Sequence, residues 1–299
     1  MIAILAMVLV LAACSLDPPG AKKNSDEAGG DGSFKIGFSI STLNNPFFVT
    51  LSDGAKAKAE ELGAILTVID AQDDAAKQAS DVEDLIQQGV DLIMINPTDS
   101  AAVVSAVESA NSAGIPVITV DRNAEGGEVL SHIASDNAAG GELAGDYLIE
   151  LLGEDAKVAE LEGISGSSAA RDRGAGFNKV ATDTLDIVAK QTANFNRAEG
   201  LTVMENILQG NPDIKGIFAH NDEMALGALE AVEVSGKDIV VIGFDATEDA
   251  VKAVEDGRLA ATIAQKPDLI GEVAIETAVQ SLKGESVEAS IPVELELIK

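Results

Sequence analysis

The sequence predicts an α/β protein of two lobes, each built on a parallel sheet. Three observations carry that expectation. Short apolar runs alternate with amphipathic stretches of helical length along most of the chain, the pattern of parallel strands linked by crossover helices. The runs are made of Val, Ile, Leu and Ala: the chain is 46% apolar, yet aromatics are 3% and Trp is absent, which suits strands buried on both faces between helices. The units are too many for one comfortable open sheet in 299 residues, so they divide between two lobes. A single eight-stranded barrel is the alternative, but it gives no reason for the change of series in mid-chain.

The elements follow in order. Strand Phe34–Ser41 precedes helix Phe47–Leu62, strand Ala64–Asp70 precedes helix Asp73–Gln88, and strand Val90–Ile95 precedes helix Ser100–Ala113 and strand Pro116–Val120. Gly63, Gly89 and Gly114 each stand where a helix must stop before the next strand. Val129–Ser135 is a further apolar run ahead of Asp136-Asn137. A second series places helices at Ala138–Leu152, Ala169–Thr182, Ala198–Leu208, Glu223–Val234 and Glu248–Asp256. Its strands are Lys157–Leu161, Ile187–Gln191, Gly216–His220, Asp238–Phe244 and Ala260–Ala264, with a last helix at Leu269–Leu282 and a last strand at Ile291–Ile298.

Several strands end in one hydrogen-bonding residue. Asn96, Asp121-Arg122, Asn221, Asp245 and Gln265 all stand at such ends, and Lys35–Ser41 leads into Asn44-Asn45-Pro46-Phe47-Phe48. Loops at the carboxyl ends of parallel strands form the ligand crevice, so these residues are expected to converge. Carboxylates accept two sugar hydroxyl bonds each, guanidinium donates several in a plane, and Asn and Gln do both. Phe47, Phe48 and Phe195 stand near the same ends, and flat rings cover the apolar faces of a sugar. Each residue alone has a plainer reading: a cap for the aspartates, a turn for Asn96-Pro97, a core face for Phe47 and Phe48. Their joint placement points to a small, uncharged, hydroxyl-rich ligand.

Other classes fit poorly. A formal net charge of −30 argues against nucleic acid or an anionic membrane as partner, since phosphate binding needs basic surface. The acid excess falls on helix faces such as Glu60-Glu61, Asp81/Glu83/Asp84 and Glu248-Asp249. It reads as a solvated surface or as adaptation to high salt, where self-repulsion is screened. The two histidines, His132 and His220, the lack of a Cys in the folded part and the absence of HExxH leave no metal site, no cofactor and no enzyme chemistry to expect. Gly163–Ser168 lacks the Lys-Ser/Thr of a phosphate loop and reads as a helix-capping turn. Asp70–Asp74 lacks the Gly and closing Glu of a calcium loop and reads as an N-cap region.

Residues 1–13 are almost wholly apolar, too short to span a bilayer and of the size of a signal-peptide core. Leu11-Ala12-Ala13-Cys14 resembles a bacterial lipobox, so Cys14 is expected to be the lipidated first mature residue and an exported chain its product. Residues 14–33 then form a tether rich in Pro, Gly, Ser and charge.

The segments Ser41–Phe48, Ile95–Ser100, Ile118–Arg122, Ser131–Asn137, Asn221–Ala228 and Ala261–Gln265 together resemble the D-ribose-binding members of the type I periplasmic sugar-binding protein family of ABC importers, from about residue 34 to the C-terminus. The resemblance implies two Rossmann-like lobes joined by a three-segment hinge: residues 34–135 plus 266–294, and residues 136–265 plus 295–299, crossing near Ser135/Asp136, Gln265/Lys266 and Glu294/Leu295. It implies an extracytoplasmic monomer that captures D-ribose by hinge closure, delivers it to the membrane permease of an importer and, in some bacteria, presents it to a chemoreceptor. By residue it implies hydrogen bonds from Asn45, Asp121, Arg122, Arg173, Asn221, Asp245 and Gln265, with Phe47, Phe48 and Phe195 sandwiching the sugar. Another pentose, an allose-like hexose or a furanose signal is the alternative ligand.

Overall fold

The alternation is realised as strands and helices that sort into two sheets of six. The computed structural model describes residues 33–299; the signal segment, Cys14 and nearly all of the tether lie outside the described residues. The first sheet has the order β11-β5-β4-β3-β1-β2, from β1 (Lys35–Ile40), β2 (Ile65–Asp70), β3 (Leu92–Ile95), β4 (Val117–Val120), β5 (Ser131–Ser135) and β11 (Ser290–Val293). The second has the order β12-β10-β9-β8-β6-β7, from β6 (Lys157–Glu162), β7 (Asp186–Thr192), β8 (Gly216–Ala219), β9 (Val240–Asp245), β10 (Ala261–Ala264) and β12 (Glu296–Ile298). All pairings are parallel except β10 with β12.

Helices cover both faces of each sheet, which is why the strands carry no polar face. Helices α1 (Pro46–Leu62) and α9 (Pro267–Leu282) close one core over the first sheet, and α2 (Ala75–Gln88) and α3 (Val104–Ser112) the other. Helices α4 (Asn137–Leu152) and α5 (Ser168–Ala181) cover one face of the second sheet; α6 (Arg197–Gly210), α7 (Asp222–Ser235) and α8 (Glu248–Glu255) cover the other. Helix α4 meets α5 through glycines: a Cβ on Gly141 would stand 2.1 Å from the Arg173 carbonyl, and one on Gly176 2.0 Å from that of Ala138. The two backbones therefore touch, which fixes α5 and what it carries.

The chain passes between the sheets three times: between β5 and β6, between β10 and β11, and between β11 and β12. The single last strand expected at Ile291–Ile298 is accordingly two. Ser290–Val293 pairs with β5 in the first sheet, and Glu296–Ile298 turns to pair antiparallel with β10 in the second. Apolar character runs on through the break because each piece seals an edge of a different core. Helix α3 begins at Val104, later than expected, because the Asp99 carboxylate holds the N–H groups of Ala101 and Ala102 in a turn. Gly63 and Gly89 end α1 and α2 in the left-handed conformation, as their spacing predicts.

Candidate functional site

Loops from the carboxyl ends of both sheets converge on one cavity between them. Its wall comprises Asn45, Phe47, Phe48, Asp121, Arg122, Arg173, Phe195, Asn221, Asp245 and Gln265, together with Ala169. All ten sequence-predicted residues are thus brought together; Ala169, an alanine on α5 with no chemical signal in the sequence, is the addition. The first sheet's loops supply Asn45, the two adjacent phenylalanines, Asp121 and Arg122. The second sheet's elements supply the rest, with Gln265 directly after β10.

The backbone is strained where the site is built. Asp121 (φ 60°), Phe195 (φ 58°) and Asp245 (φ 123°) lie in the region that favours glycine, a conformation that persists only when its surroundings enforce it. For Asp121 the enforcement is visible. Its N–H donates to the Ile133 carbonyl at 2.9 Å and its carboxylate accepts from Asn96 Nδ2 at 3.1 Å. Asn96 also accepts from Ser41 N–H and donates to the Val120 carbonyl. Asn96 is therefore neither cleft wall nor simple turn: it is wholly buried behind the site and ties three strand ends together. The Phe195 ring lies where a Cβ on Gly163 would be, 2.1 Å away, so the Gly163 loop is shaped to seat the ring.

Arg122 lies between rings, with its guanidinium carbon 5.0 Å from the centroid of Phe48 and 5.2 Å from that of Phe195; it therefore bridges the two sheets' contributions by cation–π contact. Its Nη1 donates to the Pro97 carbonyl at 3.2 Å. Arg173 is fixed more tightly: Nε donates to Asn137 Oδ1 at 2.8 Å, Nη1 donates to the His220 carbonyl at 2.6 Å, and the guanidinium stacks 3.8 Å over Phe244. Asn137 begins α4, so the first crossing segment sets the plane of this arginine. Asn45 and Asn221 are N-caps of α1 and α7, their Oδ1 atoms accepting from Phe47 and Met224 N–H. That assigns their Nδ2 atoms as donors; Nδ2 of Asn221 reaches the Phe195 carbonyl at 3.3 Å. Capping and lining the cavity are done by the same side chains.

The electrostatics is balanced locally. Burial lowers both guanidinium pKa values, opposed chiefly by Asp121 at Arg122 and by Asp245 at Arg173; guanidinium stays charged regardless. Burial pushes Asp245 well above the ordinary carboxylate range, against the pull of Arg173, whose Nη1 is 3.7 Å from its Oδ1. Two arginines and two aspartates interleave, so the cavity carries no formal net charge inside a strongly acidic protein. Arg122 Nε, 3.6 Å from Asp121 Oδ2, and Gln265 Oε1 are buried without a hydrogen-bond partner. A donor and an acceptor left over in a wall of rings call for a ligand that offers both, as a polyol does.

Support behind the wall carries no local signal in the sequence. Asp222 follows Asn221 and is fully buried; it accepts from Thr262 Oγ1, Thr247 N–H and Thr247 Oγ1, tying down the turn that carries Asp245. His220 Nδ1 faces Gly163 N–H at 3.4 Å and Nε2 faces Glu160 at 2.9 Å. That pairing sets the neutral tautomer with Nε2 protonated, and burial lowers the imidazole pKa. His132 bonds Thr119 through Nδ1. Asp74, within the expected N-cap region, caps α2. The Gly163–Ser168 turn departs from expectation: Ser167 precedes α5 without any side-chain capping bond. Among the described residues no three metal-ligating side chains converge, and no helix is long and apolar enough to cross a membrane.

The periplasmic binding protein domain family matches residues 36–286. The ribose import binding protein of Bacillus subtilis (strain 168) is 55% identical over 290 residues, covering 97% of this chain and 95% of its own length. The ribose import binding protein of Escherichia coli (strain K12) is 56% identical over 265 residues, 88% of this chain and 90% of its own length. An ABC transporter solute binding protein from Bacillus halodurans C-125, solved with bound myo-inositol, superposes with a TM-score of 0.84 at 36% identity, covering 90% of this chain and 96% of that one.

Proposed function

The chain belongs to the periplasmic binding protein domain family, and on that premise we propose that it captures D-ribose outside the cytoplasm for an ABC importer. It is a solute-binding protein and not an enzyme. One observation carries the ligand reading. One cavity combines Asp121, Asp245 and two arginines with Phe47, Phe48 and Phe195, drawn from both sheets.

Mechanistically, the two sheet-centred lobes open and close about the three crossings. Contacts from both lobes to the sugar exist only when closed, so the sugar shifts the population toward closure. The hydroxyls bond the aspartates and the guanidinium edges, and the rings cover the ring faces. A micromolar Kd corresponds to about −8 kcal/mol, within reach of seven polar side chains plus stacking after the cost of closure. The same reading anchors the protein through a lipid on Cys14 as a monomer, hands ribose to the permease and admits presentation to a chemoreceptor. The rival ligands are another pentose, an allose-like hexose or a furanose signal; the fold relative holding myo-inositol keeps a six-membered polyol among them. Calorimetric titration with D-ribose, other pentoses, D-allose and myo-inositol tests this. Tightest binding of D-ribose is expected; tighter binding of another sugar replaces ribose, and no binding of any overturns the reading.

A further inference from the structure

The Gly163–Ser168 turn touches the opposite lobe. Ser100 N–H donates to the Gly166 carbonyl at 2.9 Å, Ser168 N–H donates to Ser100 Oγ at 3.2 Å, and Asn123 N–H donates to Ser168 Oγ at 3.0 Å. Ser100 and Ser168 are both buried. Outside them, Arg171 meets Glu125 at 2.6 Å and turns its other terminal nitrogen to the Gly166 carbonyl at 3.1 Å. Ser100, Asn123 and Glu125 lie on the first lobe; Gly166, Ser168 and Arg171 lie on the second. None of these groups lines the cavity.

From this we infer that Ser100, Gly166 and Ser168 form a latch that sets sugar affinity from outside the cavity by fixing how stable and how tight the closed form is. The inference rests on the reading that the lobes close around a sugar. Its physical basis is direct. Three main-chain N–H groups find protein partners only across the lobe boundary, so opening trades those bonds for water and closing restores them with no help from a ligand. Apparent affinity scales with the fraction of molecules in the binding-competent form, so the latch raises affinity for every ligand that needs closure. The rings and charged groups of the cavity are left to choose among sugars.

Gly166 is the gauge of closure. A Cβ there would stand 1.9 Å from Asp99 Oδ2 on the opposite lobe. Asp99 cannot swing away freely, because its Oδ1 is held by the N–H groups of Ala101 and Ala102 at 2.9 and 2.7 Å. The clash exists only across the boundary, so alanine at this position is compatible with each lobe by itself.

The test titrates Gly166→Ala and Ser168→Ala in the protein with D-ribose and D-allose, alongside melting and small-angle scattering without sugar. Gly166→Ala is expected to raise Kd for both sugars by the same factor, about 5- to 50-fold, and Ser168→Ala by about 3- to 10-fold. Dissociation is faster, the ligand-free melting temperature is unchanged and the closed fraction in scattering is reduced. Unchanged Kd values, a factor that differs between the two sugars, or a lowered ligand-free melting temperature each overturn the latch. A wild-type protein that binds neither sugar overturns the ribose reading instead; scattering of the ligand-free variants then decides the latch, and a profile identical to wild type refutes it.

Discussion

Asn96 Nδ2 donates to the Asp121 carboxylate at 3.1 Å, and its other amide contacts run to Ser41 and Val120. One buried amide thus aims a cavity-lining carboxylate and closes the ends of β1, β3 and β4. Asn96→Ala leaves Ser41 N–H buried without an acceptor and Asp121 unsupported. A loss of about 1–3 kcal/mol in stability is expected, with D-ribose affinity falling about tenfold. Melting and calorimetry on the same preparation read the two effects, and unaltered affinity would show that Asp121 needs no such support.

Asp245 holds Gln265 at 2.8 Å and faces Arg173 at 3.7 Å. Removing it with Asp245→Ala is expected to cost roughly 1.5–3 kcal/mol of binding. Wild-type affinity for D-ribose in this variant would remove Asp245 from the site.

The α4–α5 contact predicts a distant effect on the cavity. Gly176→Ala places a methyl group against the Ala138 carbonyl, and overpacking of this kind costs about 1–3 kcal/mol. Because Arg173 rides on α5, ribose affinity should fall with it by about tenfold or more. A variant that melts early but binds normally would show that α5 shifts without carrying the guanidinium.

Asp222 predicts a pH dependence. Burial pushes its pKa up to about 7, against the bonds from Thr262 and Thr247; in the unfolded chain it returns to the ordinary carboxylate value. The folded state therefore binds the proton more tightly. Stability from this group is fully present below the unfolded pKa and is lost as pH rises through about 7. Ligand-free melting followed from about pH 5 to about pH 8 should fall more steeply in wild type than in Asp222→Asn. Parallel curves would show that Asp222 keeps its proton state on unfolding.

The net charge of −30 predicts a response to salt. At about 1 M salt the screening length is ~3 Å, so repulsion among acidic helix faces is removed. The melting temperature is expected to rise by about 5 °C or more between about 0.05 M and about 1 M NaCl. A flat response would mark the acidity as a solvated surface and nothing further.

Much of this protein is determined locally. Strand and helix periods, glycine stops and polar residues at strand ends are properties of short segments, so the sequence alone yields two parallel-sheet lobes. With the family resemblance it also yields ten residues of one cavity. What the sequence could not determine depends on residues far apart in the chain. Asn96 reads as a turn until β1, β3 and β4 lie side by side; Asn137 and Asp222 carry no signal of their own until Arg173 and the Asp245 turn reach them. The run Ile291–Ile298 reads as one strand because apolar character does not record which sheet each half joins. The Gly163–Ser168 turn reads as a cap because its partners, Ser100 and Asn123, belong to the other lobe. Local pattern reports the preference of a segment for its own conformation and burial; only tertiary structure decides which distant donor meets which acceptor, and in this protein that meeting aims the site and holds the lobes together.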